Sequence, residues 1–251
     1  METILFSNAR LKVKQADQHT LSLNEKLVEF LQTDFYSFVV ERDENSGKTG
    51  LRFVLNPSFS EEAGLIIGDT VHNLRSALDN LWWELVDRCG GTCDENTYFP
   101  IAKSLERLER VIKDRKIEAI GMDFAELLRE KFKSYKGGND ALYGLHELNN
   151  IDKHRLLIPT YAGVEFRGVT GNIGVAKFKN SGVTLGQDAV MNFAEITEQY
   201  EFKHSGVPTL FIVFGEGQPF QFEPIIPTLE NLSILVQSII QDIEIAYRVR
   251  T

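Results

Sequence analysis

Six residues on two stretches of this chain have side chains suited to chemistry and a spacing that gathers them: His72, Arg75 and Asp79, then Asn149, Asp152 and His154. A guanidinium stabilises anionic charge, an imidazole exchanges protons near neutral pH, and carboxylates or amides orient both. In the first stretch Ile67, Val71, Leu74, Leu78, Leu81 and Leu85 follow i+3 and i+4 steps, so Asp69, His72, Ser76, Asp79 and Trp83 fall on the other edge of one helix. Arg75 flanks the apolar stripe one turn before Asp79, a spacing that suits a hydrogen bond within the helix. In the second stretch Leu142, Leu145 and Leu148 set a stripe that continues through Asn149 and Asp152 to Leu156. A stripe that turns polar brings amide and carboxylate groups to the edge of a core, where each needs a partner. The expectation is that the two helices pack, that Arg75 and Asp152 pair directly across them, and that the cluster either binds a small anionic ligand or supports the fold as an ion-pair network. Lys153, His154 and Arg155 also complement the negative end of their own helix.

Other chemical patterns fall short. Ser46-Gly47-Lys48-Thr49 has the end of a phosphate loop, but Arg42 stands where the first glycine belongs and a strand is expected to follow, so no helix N-terminus receives the phosphate. Gly168, Gly171 and Gly174 recur every third residue between expected strands, where hairpin turns account for them better than a dinucleotide fingerprint. His146-Glu147 opens like a zinc-protease motif, yet Asn150 replaces the second histidine. Cys89 and Cys93 are the only cysteines and have no second pair to complete a zinc site. No cofactor is implied. A metal-dependent hydrolase using His72, His146 and nearby acids is an alternative, without three ligands fixed at one point.

The elements that must position the cluster follow from periodicity and punctuation. Helices are expected at about 4–31, 60–89, 103–134, 141–155 and 228–248, a β-hairpin at 35–55 and an antiparallel meander at 160–223. The first helix offers Leu11, Leu21, Leu27 and Leu31 to buried faces, with a break near 17–22 allowed. Gly90-Gly91 stops the second, and 103–134 divides near Gly121 into two amphipathic pieces. Ten Lys or Arg against seven Asp or Glu over 103–136 read as a solvated face of interspersed charges. Turn signals about every ten residues from Thr160 place short strands as far as Phe222, before a final helix carrying Leu232, Leu235, Val236, Ile239, Ile240 and Ile243. The order is α+β: one domain over 1–251, a helical bundle with a hairpin and a meander packed on it. The last stripe is expected to close the core, though its composition also permits a homodimer interface.

Composition narrows the function classes. With 43% apolar and 25% charged residues over 251 positions, the chain is neither disordered nor fibrous. A net charge of −9 gives no long-range attraction to phosphate backbones or anionic membranes, so nucleic acid is disfavoured as a partner. No apolar run reaches the length of a membrane span or a signal peptide, and the expected location is cytoplasmic.

The stretches Gly68-Asp-Thr-Val-His-Asn-Leu-Arg-Ser-Ala-Leu-Asp-Asn-Leu81, Tyr98-Phe-Pro-Ile101 and Leu148-Asn-Asn-Ile-Asp-Lys-His-Arg155 resemble a widespread bacterial family that carries the same three blocks. That family has no established activity, so the resemblance brings no catalytic residues. More loosely, packed helices bearing Arg, His and Asn or Asp are similar to the HEPN superfamily, many of whose members are RNases or partners of nucleotidyltransferases. That likeness implies an RNA-cleaving or defence-associated enzyme, with Arg75 stabilising phosphate charge and His72 or His154 as general acid or base. The HEPN pattern places a histidine after four to six intervening residues from its arginine, where this chain has Asn80, Leu81 and Trp82 after Arg75.

Overall fold

The structure is a computed structural model and describes residues 5–42, 49–55, 58–155, 160–173, 176–186, 190–193, 201–203, 205 and 208–250. Helix α1 (Ser7–Phe30) leads into a hairpin of β1 (Tyr36–Arg42) and β2 (Thr49–Leu55), and α2 (Ser58–Arg88) returns along α1. The two helices run antiparallel, because the Phe6 amide donates to Glu84, Lys12 Nζ lies 3.2 Å from Asn73 Oδ1 and Lys26 pairs with Glu62. On α2 the expected stripe is buried from Ile67 to Leu85. On α1 the buried residues are Ala9, Val13, Ala16, Thr20, Leu23 and Leu27, alternating steps of four and three, while Leu11 and Leu21 are 63% and 58% exposed. The assignment of those two leucines to the core is therefore corrected. Small residues line the contact because they let the helix backbones approach, and size alone misdirects the eye toward leucine. The helix runs unbroken through 17–22.

Gly90, with φ +75°, ends α2 as expected, and the Gly91 amide returns to the Val86 carbonyl. The basic segment folds as α3 (Leu105–Asp114), α4 (Ile117–Ile120) and α5 (Met122–Glu126), followed by a π-turn at Leu127–Lys131. The break at Gly121 is present, and a second falls at Lys116, which adopts φ +53°. Several of its charges are paired: Arg129 holds Glu109 at 2.8 Å and Glu118 at 2.7 Å, and Lys131 holds Asp242 at 2.6 Å. Helix α6 (Asp140–Arg155) starts on Asn139, whose side chain accepts the Leu142 amide.

The strands after α6 do not form a simple meander. The 14-residue β3 (Thr160–Ile173) is central, with β4 (Ala176–Gly186) on one edge and both β6 (Glu201–Lys203) and β7 (Thr209–Phe214) on the other, all antiparallel. β5 (Val190–Phe193) leaves that sheet to pair with β2 of the hairpin. Gly168 and Gly171 lie within β3 at register shifts rather than in hairpin turns, and Gly168 adopts φ +63°. The strand expected at 220–222 is absent; Phe220 and Phe222 have positive φ, and the segment meets β7 through isolated bridges and the Phe214–Phe220 ring contact rather than a ladder. Thr49 opens β2, whereas Ser46, Gly47, Lys48 and Gly174 lie outside the described residues.

Helix α7 (Ile225–Arg250) buries Leu229, Leu232, Val236, Ile239, Ile240 and Ile243 in the same core as α1, α2 and α6. It runs antiparallel to α1, tied by Arg10 to Glu244 and by Ser233 to Asp17. Ile212 and Phe214 bring β7 into that core, and a smaller cluster of Phe35, Phe53, Val164 and Phe166 joins the two sheets. No described helix is long and apolar enough to cross a membrane.

Candidate functional site

Helices α2 and α6 pack together, and the strap 98–103 crosses beside them. Arg75 is 4% exposed, too buried to keep its hydration, and it is satisfied by two groups. Its Nη2 donates to the Phe99 carbonyl at 3.0 Å, and its Nη1 lies 2.9 Å from Asp79 Oδ1, an ion pair without the alignment of a hydrogen bond. The same Asp79 oxygen accepts the Phe99 amide at 3.0 Å. Arg75 and Asp79 thus hold both backbone polar groups of one strap residue. The Phe99 ring is fully buried, edge-on to Trp82 at 5.7 Å between centroids. Arg115 secures the preceding residue, stacking 4.0 Å above the Tyr98 ring and donating to its carbonyl at 2.9 Å.

Arg75 and Asp152 do not form the expected pair; Arg75 takes Asp79 instead. Asp152 packs against Gly68, where an added Cβ would collide with its carboxylate. Gly68 lies seven residues before Arg75, about 10 Å along a helix, so the contact that admits Asp152 is out of reach of the guanidinium. Asp152 shares its end of the helix crossing with exposed His72 and with Asp69, both of which act on its charge. His72 Nε2 is 3.5 Å from Ser76 Oγ. Asn149 is 2% exposed and its Oδ1 is buried with no hydrogen-bond partner. His154 belongs to α6, and its side chain lies outside the described residues. The expected cluster therefore divides into an Arg75–Asp79 clamp and a separate His72–Asp152 group.

His146, which the sequence offers only as a metal ligand, lies close enough to the clamp for Arg75 to act on its charge. The structure gives it a half-buried position with Nε2 3.3 Å from the Asn150 amide nitrogen and Nδ1 buried without a partner. Burial pulls its pKa below the ordinary imidazole value; the charges of Arg75, Lys153 and Lys103 act in the same direction and Glu147 opposes them. Burial likewise pushes the Asp79 carboxyl above the usual range, opposed by Arg75, the Phe99 amide, Lys153 and Arg115. Arg75 itself is lowered by burial, with Asp79 opposing. Asp152 is raised by burial, with Asp69 reinforcing and His72 and Lys153 opposing. Among the described residues no three His, Cys, Asp or Glu side chains gather as a metal-ligand set.

The three blocks singled out in the sequence meet here: 68–81 and 98–101 through the clamp on Phe99, 68–81 and 148–155 through Asp152 on Gly68. No protein-family model, curated protein or solved structure matches the chain. Function is therefore read from geometry.

Proposed function

We propose that the protein binds a small anion, a phosphate or carboxylate compound, over the Arg75–Asp79 clamp. The observation that carries this reading is the charge around it. Arg75, Lys103, Arg115 and Lys153 all act on Asp79 or His146, against the carboxylates of Asp79 and Glu147. In a chain of net charge −9 that local excess of cations is a site for negative charge. Arg75 and Arg115 are committed to the strap and supply a fixed field, while exposed Lys103 and Lys153 supply donors that can close on a ligand. His146, kept neutral by burial and by these cations, takes up a proton as an anion arrives.

The RNA-cleaving alternative needs an imidazole beside Arg75, and Arg75 acts on the charge of His146 from α6. The metal-dependent alternative lacks a ligand set among the described residues. Calorimetric titration with inorganic phosphate and with citrate, in buffers of different protonation enthalpy, tests the proposal. Saturable binding with proton uptake is expected, weakened at least tenfold in the Lys103→Glu/Lys153→Glu variant. Failure to saturate with either anion, or unchanged affinity in that variant, overturns it.

A further inference from the structure

A cavity of about 770 Å³ opens between α6, the strap 217–223 and the first turns of α7. From α6 it is lined by Tyr143, Gly144 and Glu147, and from the strap by Phe220 and Glu223. The strap is held in a costly shape. Phe220 and Phe222 take φ +61° and +63°, a region that disfavours side chains, and such strain persists where surrounding structure enforces it. The enforcing contacts are the Phe222 amide on the Phe214 carbonyl at 2.9 Å, the Phe214 amide on the Glu223 carbonyl at 3.1 Å and the Gly217 amide on Gln221 at 3.0 Å. The Phe220 ring closes over α6 at Gly144, where an added Cβ would stand 2.6 Å from it. Two aromatic side chains, Tyr143 and Phe220, thus line one cavity with three carboxylates, Asp140, Glu147 and Glu223, of which Asp140 accepts the Gly137 amide at 2.9 Å.

A cation already occupies part of this arrangement. Lys136, also in the lining, holds its ammonium 5.9 Å from the centre of the Tyr143 ring, within the range of a cation–π contact. Burial raises the Tyr143 phenol above its ordinary pKa, and the negative charge of Glu147, one turn on along α6, acts in the same direction. Glu223 is exposed and has no ion-pair partner among the described residues. We propose that this cavity binds an organic ammonium compound, its cation on the Tyr143 face between Glu147 and Glu223 and its apolar body against Phe220, with Lys136 as the resident competitor. This cavity adjoins the proposed anion site, since Glu147 acts on His146 and the Tyr143 ring lies 6.3 Å from the His146 ring, but it takes a ligand of opposite charge, so its test fails separately.

Three ligands with one phenyl body separate the alternatives: 2-phenylethylammonium, 2-phenylethanol and phenylacetate. They are titrated into the full chain and followed by amide chemical shifts of 140–147 and 217–223. The ammonium compound is expected to bind at least tenfold more tightly than the alcohol, to weaken about tenfold in Glu223→Gln and to tighten in Lys136→Ala. Melting of both variants confirms that the fold is kept. Equal binding of all three ligands marks a merely apolar cavity, and preference for phenylacetate marks an anion site. Either result overturns the proposal, as does lack of saturation by the ammonium compound in both the natural chain and Lys136→Ala.

Discussion

Arg75 and Asp79 are one turn apart but are not equivalent, because Arg75 is buried while a third of the Asp79 side chain still meets solvent. Removing the carboxylate strands a buried charge and the Phe99 amide together, so Asp79→Ala should cost about 3–5 kcal/mol. Arg75→Ala leaves a carboxylate that water can reach plus one unpaired carbonyl, and should cost less, about 2–3 kcal/mol. Denaturant melts of the two variants check the order; a costlier Arg75→Ala contradicts the clamp. His146 sets a pH dependence of known sign. Its folded pKa lies below the ordinary 6.5, so its contribution to stability is present above about 6.5 and is lost as pH falls through that value toward the lowered one. Asp79 and Asp152 act oppositely, since carboxyls raised in the fold lose stability as pH climbs from 3.8 through their raised values. The difference between the natural chain and His146→Gln isolates the histidine: the variant should lose less stability on going from pH 7 to pH 5. Parallel profiles would exclude a depressed His146.

At the scale of elements, α1 shows why burial and hydrophobicity are separate questions. Its contact with α2 is made through Ala9, Val13, Ala16, Thr20, Leu23 and Leu27, and its leucines at 11 and 21 face outward. Leu11→Ser and Leu21→Ser should therefore change stability by no more than about 0.5 kcal/mol. Ala16→Leu, although it adds apolar surface, should destabilise by about 1–3 kcal/mol, because the added atoms must enter a closed contact. Thermal melts that reverse this ranking would put the wrong face of α1 in the core. The α2 stripe was legible from its leucines and valine; the α1 stripe was not, since alanine and threonine give a weak periodic signal. The meander shows a second limit. Alternation marks where strands occur, but whether β5 pairs with its chain neighbour or with β2 depends on registers that no local pattern contains.

Across the whole molecule, α7 is the element on which the others close. Seven aliphatic side chains of this helix are buried in the core it shares with α1, α2 and α6, six of them beyond Pro227 and each worth about 1.5–3 kcal/mol, a sum comparable to the whole stability of a typical domain. Ending the chain before Pro227 should leave insoluble or molten protein, with lost near-ultraviolet dichroism and retained helical signal. A soluble, cooperatively melting truncated monomer would show that the remaining helices form a core without it.

By itself the sequence determined the α+β class, the long helices and the hairpin, because apolar periodicity, glycine stops and capping residues act over a few neighbours. Only the tertiary structure decided which members of the cluster meet. Asn149 was legible as buried, yet the partner of Arg75 is the backbone of Phe99, and a backbone group carries no signature in a sequence. His146 feels the charges of Arg75, Lys103 and Lys153, from two helices and a strap, only because the fold brings those elements together. Asp152 went to Gly68 because a missing side chain lets α6 approach there, seven residues short of Arg75. Distances between elements are set by how their surfaces fit, and that information exists only once the chain has folded.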